Sequence, residues 1–277
     1  MQSNNPVFRR SEEFNRTGAA AYQGFGEPQY GGYTQPGYPA PEAPVRQGRM
    51  TIDSVVQSTA ITLAVVFVAA AATWVLTPSI EGADVAEDLA PLYAASAIGG
   101  ILAFVLSLVN SFKREISPAL VLAFAAAEGV ALGAISKTFD AFIGDTIVLQ
   151  AVLGTMAAFA GTLAAYKVFD IKVGNKFRTF VVAAMFGMVA LGFLEIVLSL
   201  FSADLGLFGF GPLGLLFAVA GLVLGVFMLV MDFDFVEQGV RNGIPERESW
   251  RASFAMTVSL VWIYTNLLRI LAILQQD

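Results

Sequence analysis

Few residues in this chain could do chemistry, and most of those that could are isolated in apolar sequence. The chain contains no His and no Cys. That removes the common metal ligand, the common general base and all thiol chemistry together. Any response to pH must therefore come from carboxylates. Five ionisable residues interrupt otherwise apolar runs: Glu128, Glu195, Asp232, Asp234 and Arg269. In hydrocarbon such groups are costly unless they face protein or water, so each one marks a candidate ion-pathway or gating position.

Asp232 and Asp234 are two residues apart, so on a continuing helix they point about 200° apart and cannot face the same pore. Asp234 shares its face with Glu237, Gln238 and Arg241, a polar stripe. Asp232 shares its face with Gly225, Met228 and Leu229, so Asp232 is expected to be the buried carboxylate. The alternative makes both of them water-exposed acids at a helix C-terminus, where the helix dipole mildly disfavours negative charge. Glu195 and Arg269 fall at similar depth and form a candidate buried ion pair, either structural or part of a conduction path. Arg269 shares a polar face of the last helix with Thr265 and Asn266. Glu128 has no basic partner evident within the membrane, which makes it a candidate protonated acid or ion-pathway ligand.

The elements that position these residues are hydrophobic helices. The chain is 56% hydrophobic and 14% charged, against about 25% charge in soluble domains. Apolar runs able to cross ~30 Å of hydrocarbon recur at about 59–76, 92–109, 119–135, 146–166, 180–200, 213–231 and 252–274. The expectation is an all-α integral membrane protein with seven transmembrane helices in residues 51–277. Counts of six or eight turn on whether 201–214 forms an interfacial segment. Gly129 with Gly133, and Gly221 with Gly225, make small-xxx-small faces suited to close helix packing.

Residues 1–50 form a separate Tyr/Gly/Pro-rich unit, expected to be a disordered cytoplasmic tail. It is either a solvated segment or a docking site for a cytoplasmic protein partner. No signal peptide is visible in it, so the first span is expected to act as an uncleaved signal anchor.

Basic residues orient the bundle. Arg9, Arg10, Arg16, Arg46 and Arg49 precede helix 1, and Lys113 and Arg114 follow helix 2. Lys167, Lys172, Lys176 and Arg178 follow helix 4; Arg241, Arg247 and Arg251 follow helix 6. With seven alternating spans these all fall on one side, and the other side keeps only Lys137, beside Glu81, Asp84, Glu87, Asp88, Asp140, Asp145 and Asp204. The pattern predicts a cell-membrane protein with a cytoplasmic N-terminus and an external C-terminus. The net charge of −6 is a poor guide because the charges are segregated by loop, and nucleic-acid binding has no support. An intramembrane enzyme is disfavoured as well, since the chain lacks Ser/His and Cys/His chemistry and its two close aspartates share one helix. No cofactor is implied. If a cation passes, hard oxygen ligands suit calcium, while the missing His and Cys argue against softer metals.

Several strings together resemble the Bax inhibitor family of transmembrane Bax inhibitor motif proteins, in a bacterial branch with an extended N-terminal tail. They are Asn5-Pro6-Val7-Phe8, Met50-Thr51-Ile52-Asp53, Ala127-Glu128-Gly129-Val130, Asp232-Phe233-Asp234-Phe235-Val236-Glu237 with Asn242-Gly243, and Leu268-Arg269-Ile270-Leu271. The resemblance implies seven helices around a central last helix and a pH-sensitive calcium leak. It also implies a gate of two aspartates, one ending helix 6 and one in helix 7. Asp232 matches the first. Two turns before Arg269, where the second would fall, the chain has Trp262 and Ile263, with Tyr264, Thr265 and Asn266 the nearest polar residues. A partner for Asp232 would then be a neutral donor, Asp234, or an acid from another helix. Two functions stay open: a pH-sensitive calcium or cation leak channel, and a non-conducting membrane interaction or stress-response protein that recruits partners through its tail.

Overall fold

The computed structural model describes residues 48–80, 85–144 and 146–276, with side chains omitted for 85–87. The predicted tail up to residue 47, Arg9, Arg10, Arg16 and Arg46 within it, and Glu81, Asp84, Asp145 and the Glu87 side chain lie outside the described residues.

Seven helices follow one another: α1 Ile52–Leu76, α2 Val85–Phe112, α3 Pro118–Ile143, α4 Ile147–Val168, α5 Asn175–Ser199, α6 Pro212–Asn242 and α7 Ser249–Gln275. All seven are long and apolar enough to cross a membrane. Local chemistry sets their ends. Thr51 and Ser54 cap α1 reciprocally, each side chain accepting the other's backbone N–H. Proline opens α3 and α6, where its missing N–H costs nothing. Gly243, at φ 62°, ends α6 in the left-handed conformation.

α6 is much longer than its apolar run. The expected end near Met231 is replaced by a helix that continues to Asn242, because no proline interrupts Phe235 to Arg241 and its one glycine, Gly239, is packed closely against Ile244 and Met50. Asp232 and Asp234 therefore lie inside α6 and not at its C-terminus. The 201–214 segment forms no eighth helix; Leu200–Gly211 is a loop between α5 and α6.

α7 is central, packing against α1, α3, α4 and α6. Along α1 its contact is a line of buried hydroxyls. Ser58 donates to the Ser249 carbonyl at 3.0 Å, Ser253 donates to the Ser58 carbonyl at 3.0 Å, and the Thr62 and Ser253 hydroxyls meet at 2.7 Å. Small hydroxylated residues let the backbones approach while each polar atom keeps a partner. The glycine faces do the same elsewhere. A Cβ at Gly129 would sit 2.4 Å from the Val66 carbonyl oxygen of α1, and one at Gly225 would sit 2.7 Å from Ile263 of α7. α2 lies mainly against α3, and α5 mainly against α6. Their other faces present large exposed apolar side chains such as Phe104, Phe186 and Phe193, as lipid-facing helices do.

Contacts between loops assemble one face of the bundle, here termed the basic face. Arg247 donates to the Ile116 carbonyl at 2.7 Å, and Arg251 to the Arg114 carbonyl at 2.9 Å, joining the α2–α3 and α6–α7 connections. Gly48–Met50 pairs with the α6–α7 turn through Met50 N–H to Ile244 O, 2.8 Å, and Glu246 N–H to Gly48 O, 2.7 Å. At the opposite face Lys137 donates to the carbonyls of Trp74 and Thr77, which cap the end of α1. A cation there also complements the negative end of the helix dipole.

Candidate functional site

Asp232 stands ten residues before the end of α6, about 15 Å from it along the axis. Ser259 stands ten residues into α7, at the same depth, and its hydroxyl donates to Asp232 Oδ2 at 2.6 Å. Ser259 is fully buried, and Asp232 is half-buried. The α7 residue that meets Asp232 is thus Ser259, one turn nearer the basic face than the Trp262 and Ile263 singled out from the sequence. Those two do other work: Trp262 donates its indole N–H to the Gly221 carbonyl at 2.8 Å, and Ile263 packs at Gly225. Of the three partners left open for Asp232, the neutral donor is the one present.

Asp234 points elsewhere, as the 200° separation requires, but it is not a solvated stripe residue. It is 7% exposed, more enclosed than Asp232. Arg178 of α5 covers it at 3.2 Å and Gln238 donates to it at 2.7 Å. The burial order expected from the two helix faces is reversed because α5 supplies a cation that the α6 pattern alone does not reveal. Glu237, one turn on, accepts from the Tyr166 hydroxyl of α4 at 2.7 Å and pairs with Arg241. The basic end of α6 is therefore tied to α7, α5 and α4 by three successive acids.

Glu128 is half-buried, ten residues into α3 and so at a depth comparable to Asp232. No hydrogen bond or ion pair joins it to another described residue. It lies one turn from Phe124, whose ring packs edge-on against Phe254 of α7.

The expected ion pair between Glu195 and Arg269 does not form. Each side chain instead holds the α5–α6 loop. Glu195, 5% exposed, accepts the backbone N–H groups of Leu205 at 2.8 Å and Leu207 at 3.1 Å. Arg269 donates to the Leu207 carbonyl at 2.6 Å and lies 5.5 Å from the centre of the Phe208 ring. The two charges are satisfied through one loop residue, so the pair is a clamp and not a bridge. Thr265 and Asn266 return their hydrogen bonds to their own helix, Thr265 to Val261 O and Asn266 to Trp262 O.

Ser259, Arg178 and Tyr166 were not singled out from sequence. Arg178 and Tyr166 carry the right signal, a charge or hydroxyl near a helix end on the face that also holds the end of α6. Ser259 carries none beyond being one hydroxyl among several in α7. Among the described residues no three acidic side chains converge as a metal site would require. The chemistry available is a carboxylate and a hydroxyl inside the span, flanked by small and apolar residues.

Seven helices long and apolar enough to cross a membrane, four of them packed on a polar-seamed last helix, with isolated carboxylates within the spans, define a multi-pass helical membrane protein. The sequence profile of the family described as Bax inhibitor 1 like matches residues 5–276, and the chain belongs to that family. A comparison with curated proteins found no match.

Proposed function

We propose that the protein is a pH-sensitive leak pathway for calcium or a similar hard cation, with Asp232 at its gate. The observation that carries this reading is the Asp232 carboxylate, inside the span and held to the central helix by one neutral hydroxyl, Ser259. A carboxylate in that position changes charge when it takes up a proton, and the charge alters both its attraction for a cation and its bond to α7. Oxygen-only surroundings suit calcium. A single weak carboxylate site also suits passage better than retention, since conduction needs binding that releases. Glu128, at similar depth on α3, another of the helices packed against α7, is a second station on such a path. The distribution of basic residues supports a cell-membrane location with the basic face, and the N-terminus, in the cytoplasm.

The test is calcium entry into proteoliposomes at several pH values, for the wild type and Asp232→Asn. The variant should lose the pH dependence. Identical pH profiles for the two proteins would sink the assignment of the gate.

One observation favours a second reading, recruitment of a cytoplasmic partner by the tail. The root of the tail, Gly48–Met50, is paired to the α6–α7 turn, so a partner bound to the tail would pull on the connection between the two helices that carry Asp232 and Ser259. Deleting residues 1–47 separates the readings: a channel keeps its flux, and an adaptor loses its function.

A further inference from the structure

Neither reading uses the cavity enclosed by α1, α3, α4 and α7, about 320 Å³ in volume. That size falls at the lower end of small-molecule sites, roughly 300–1,000 Å³. Its walls are apolar, formed by Leu63, Ala70 and Trp74 of α1, Val152 of α4 and Leu260 of α7. The few polar groups that reach it are already engaged. The Ser136 and Tyr264 hydroxyls bond each other at 2.6 Å, and Thr155 donates to the Ala151 carbonyl at 2.7 Å. The cavity therefore suits hydrocarbon and offers little to water.

Three observations say what fills it. First, the cavity is continuous with the lipid-facing surface. α1 and α4 both pack on α3 and α7 but leave a gap between themselves, and Phe67 and Met156, which line the cavity, are also 49% and 38% exposed. Second, its length fits one leaflet: Leu63 to Trp74 spans about 16 Å of helix, against about 15 Å for half the hydrocarbon core. Third, its outer end is marked for a headgroup. Trp74 lies two residues before the end of α1, the level at which interfacial tryptophans sit. Lys137 adjoins Ser136 and directs its three N–H donors to the Trp74 and Thr77 carbonyls and the Thr77 hydroxyl at 2.8, 2.7 and 3.2 Å, so it offers a headgroup its charge and no free donor. A phosphate is the complementary charge at that level.

We propose that this cavity binds one acyl chain of a phospholipid from the leaflet at the C-terminal end of α1, with the chain running from Trp74 toward Leu63 and the phosphate near Lys137. The site is lateral, entered from the bilayer between α1 and α4, and separate from Asp232.

Trp74 is one of three tryptophans, with Trp250 and Trp262, so Trp250→Phe with Trp262→Phe leaves it as the reporter. The purified full-length chain in detergent micelles is titrated with phosphatidylglycerol brominated at mid-chain. A bound chain should quench Trp74 saturably, with one-site behaviour, and excess unbrominated phospholipid should reverse the quenching. Filling the cavity by Ala71→Phe or Val152→Phe should reduce the saturable component at least fivefold, with thermal melts confirming that each variant is folded. Quenching that rises linearly with lipid fraction, or that persists unchanged in folded, filled variants, would overturn the proposal. So would saturation by a brominated free fatty acid but not by the phospholipid. If neither filled variant folds, the competition arm decides alone, and failure of unbrominated phospholipid to reverse the quenching overturns the site.

Discussion

Glu195 and Arg269 permit a sharp discrimination between a bridge and a clamp. Glu195→Ala removes two hydrogen bonds to a carboxylate, those from Leu205 and Leu207 N–H. Bonds of that kind contribute about 1.5–3 kcal/mol each. Leu205 is exposed at the loop, so a freed N–H there can reach water, and the expected loss is near the lower bound, about 3 kcal/mol. Arg269→Met removes the bond to the Leu207 carbonyl and the contact with Phe208, for about 2–4 kcal/mol. Because both side chains hold Leu207, the double variant should cost about 1 kcal/mol less than the sum of the singles. The decisive variant is the charge reversal, Glu195→Arg with Arg269→Glu. A direct ion pair would survive it. The clamp cannot, since an arginine at 195 cannot accept two N–H groups and a glutamate at 269 cannot donate to a carbonyl. Reversible unfolding in mixed detergent and denaturant reads the difference. Recovery of the reversed pair to within about 1 kcal/mol of the wild type would refute the reasoning.

Ser259→Ala strips Asp232 of its hydroxyl donor and should destabilise the fold by about 1–3 kcal/mol; Asp232→Asn leaves Ser259 a polar neighbour and should cost less, and the opposite order of melting temperatures would contradict the contact. Gly129→Ala drives a Cβ into the α1 backbone and should cost about 1–3 kcal/mol. By contrast, Gly161→Ala, where a Cβ meets open space, should be neutral or gain up to about 1 kcal/mol in melts of the purified protein. Since the chain has no Cys, orientation can be read with single cysteines: Asp204→Cys should react with an impermeant maleimide in intact cells and Lys172→Cys only after permeabilisation, and the reverse labelling would invert the assigned topology.

Much of the fold was legible because the membrane simplifies the code. Apolar runs long enough to span hydrocarbon located all seven helices, and the glycine pairs marked faces of close approach, whose partners, α1 for α3 and α7 for α6, only the structure supplies. The length of α6 was less legible, since hydropathy reports where an apolar run ends and not where a helix ends. Phe235 to Arg241 contains no proline, its Gly239 is held by packing, and Gly243 ends the helix. At the site, the 200° divergence of Asp232 and Asp234 followed from helix geometry alone. Which of them is more buried did not, because Arg178 arrives from another helix. Ser259 was invisible for a related reason: hydroxyls in apolar helices commonly bond their own backbone, as Thr257 and Thr265 do here, and nothing in sequence marks those that cross, as Ser253 and Ser259 do. Similar depth does not make Glu195 and Arg269 partners, because each is satisfied by the loop between α5 and α6. The non-periodic loop between α5 and α6, which supplies the real partners, has no pattern from which its path can be read.

The central claim is that a cation passes this bundle under control of a carboxylate in α6. It is tested most directly by reconstituting the purified wild-type chain into liposomes loaded with a calcium indicator and recording entry across a range of external pH. The account predicts entry well above that of protein-free liposomes, with a rate that changes with pH. Entry equal to the protein-free control at every pH would contradict it.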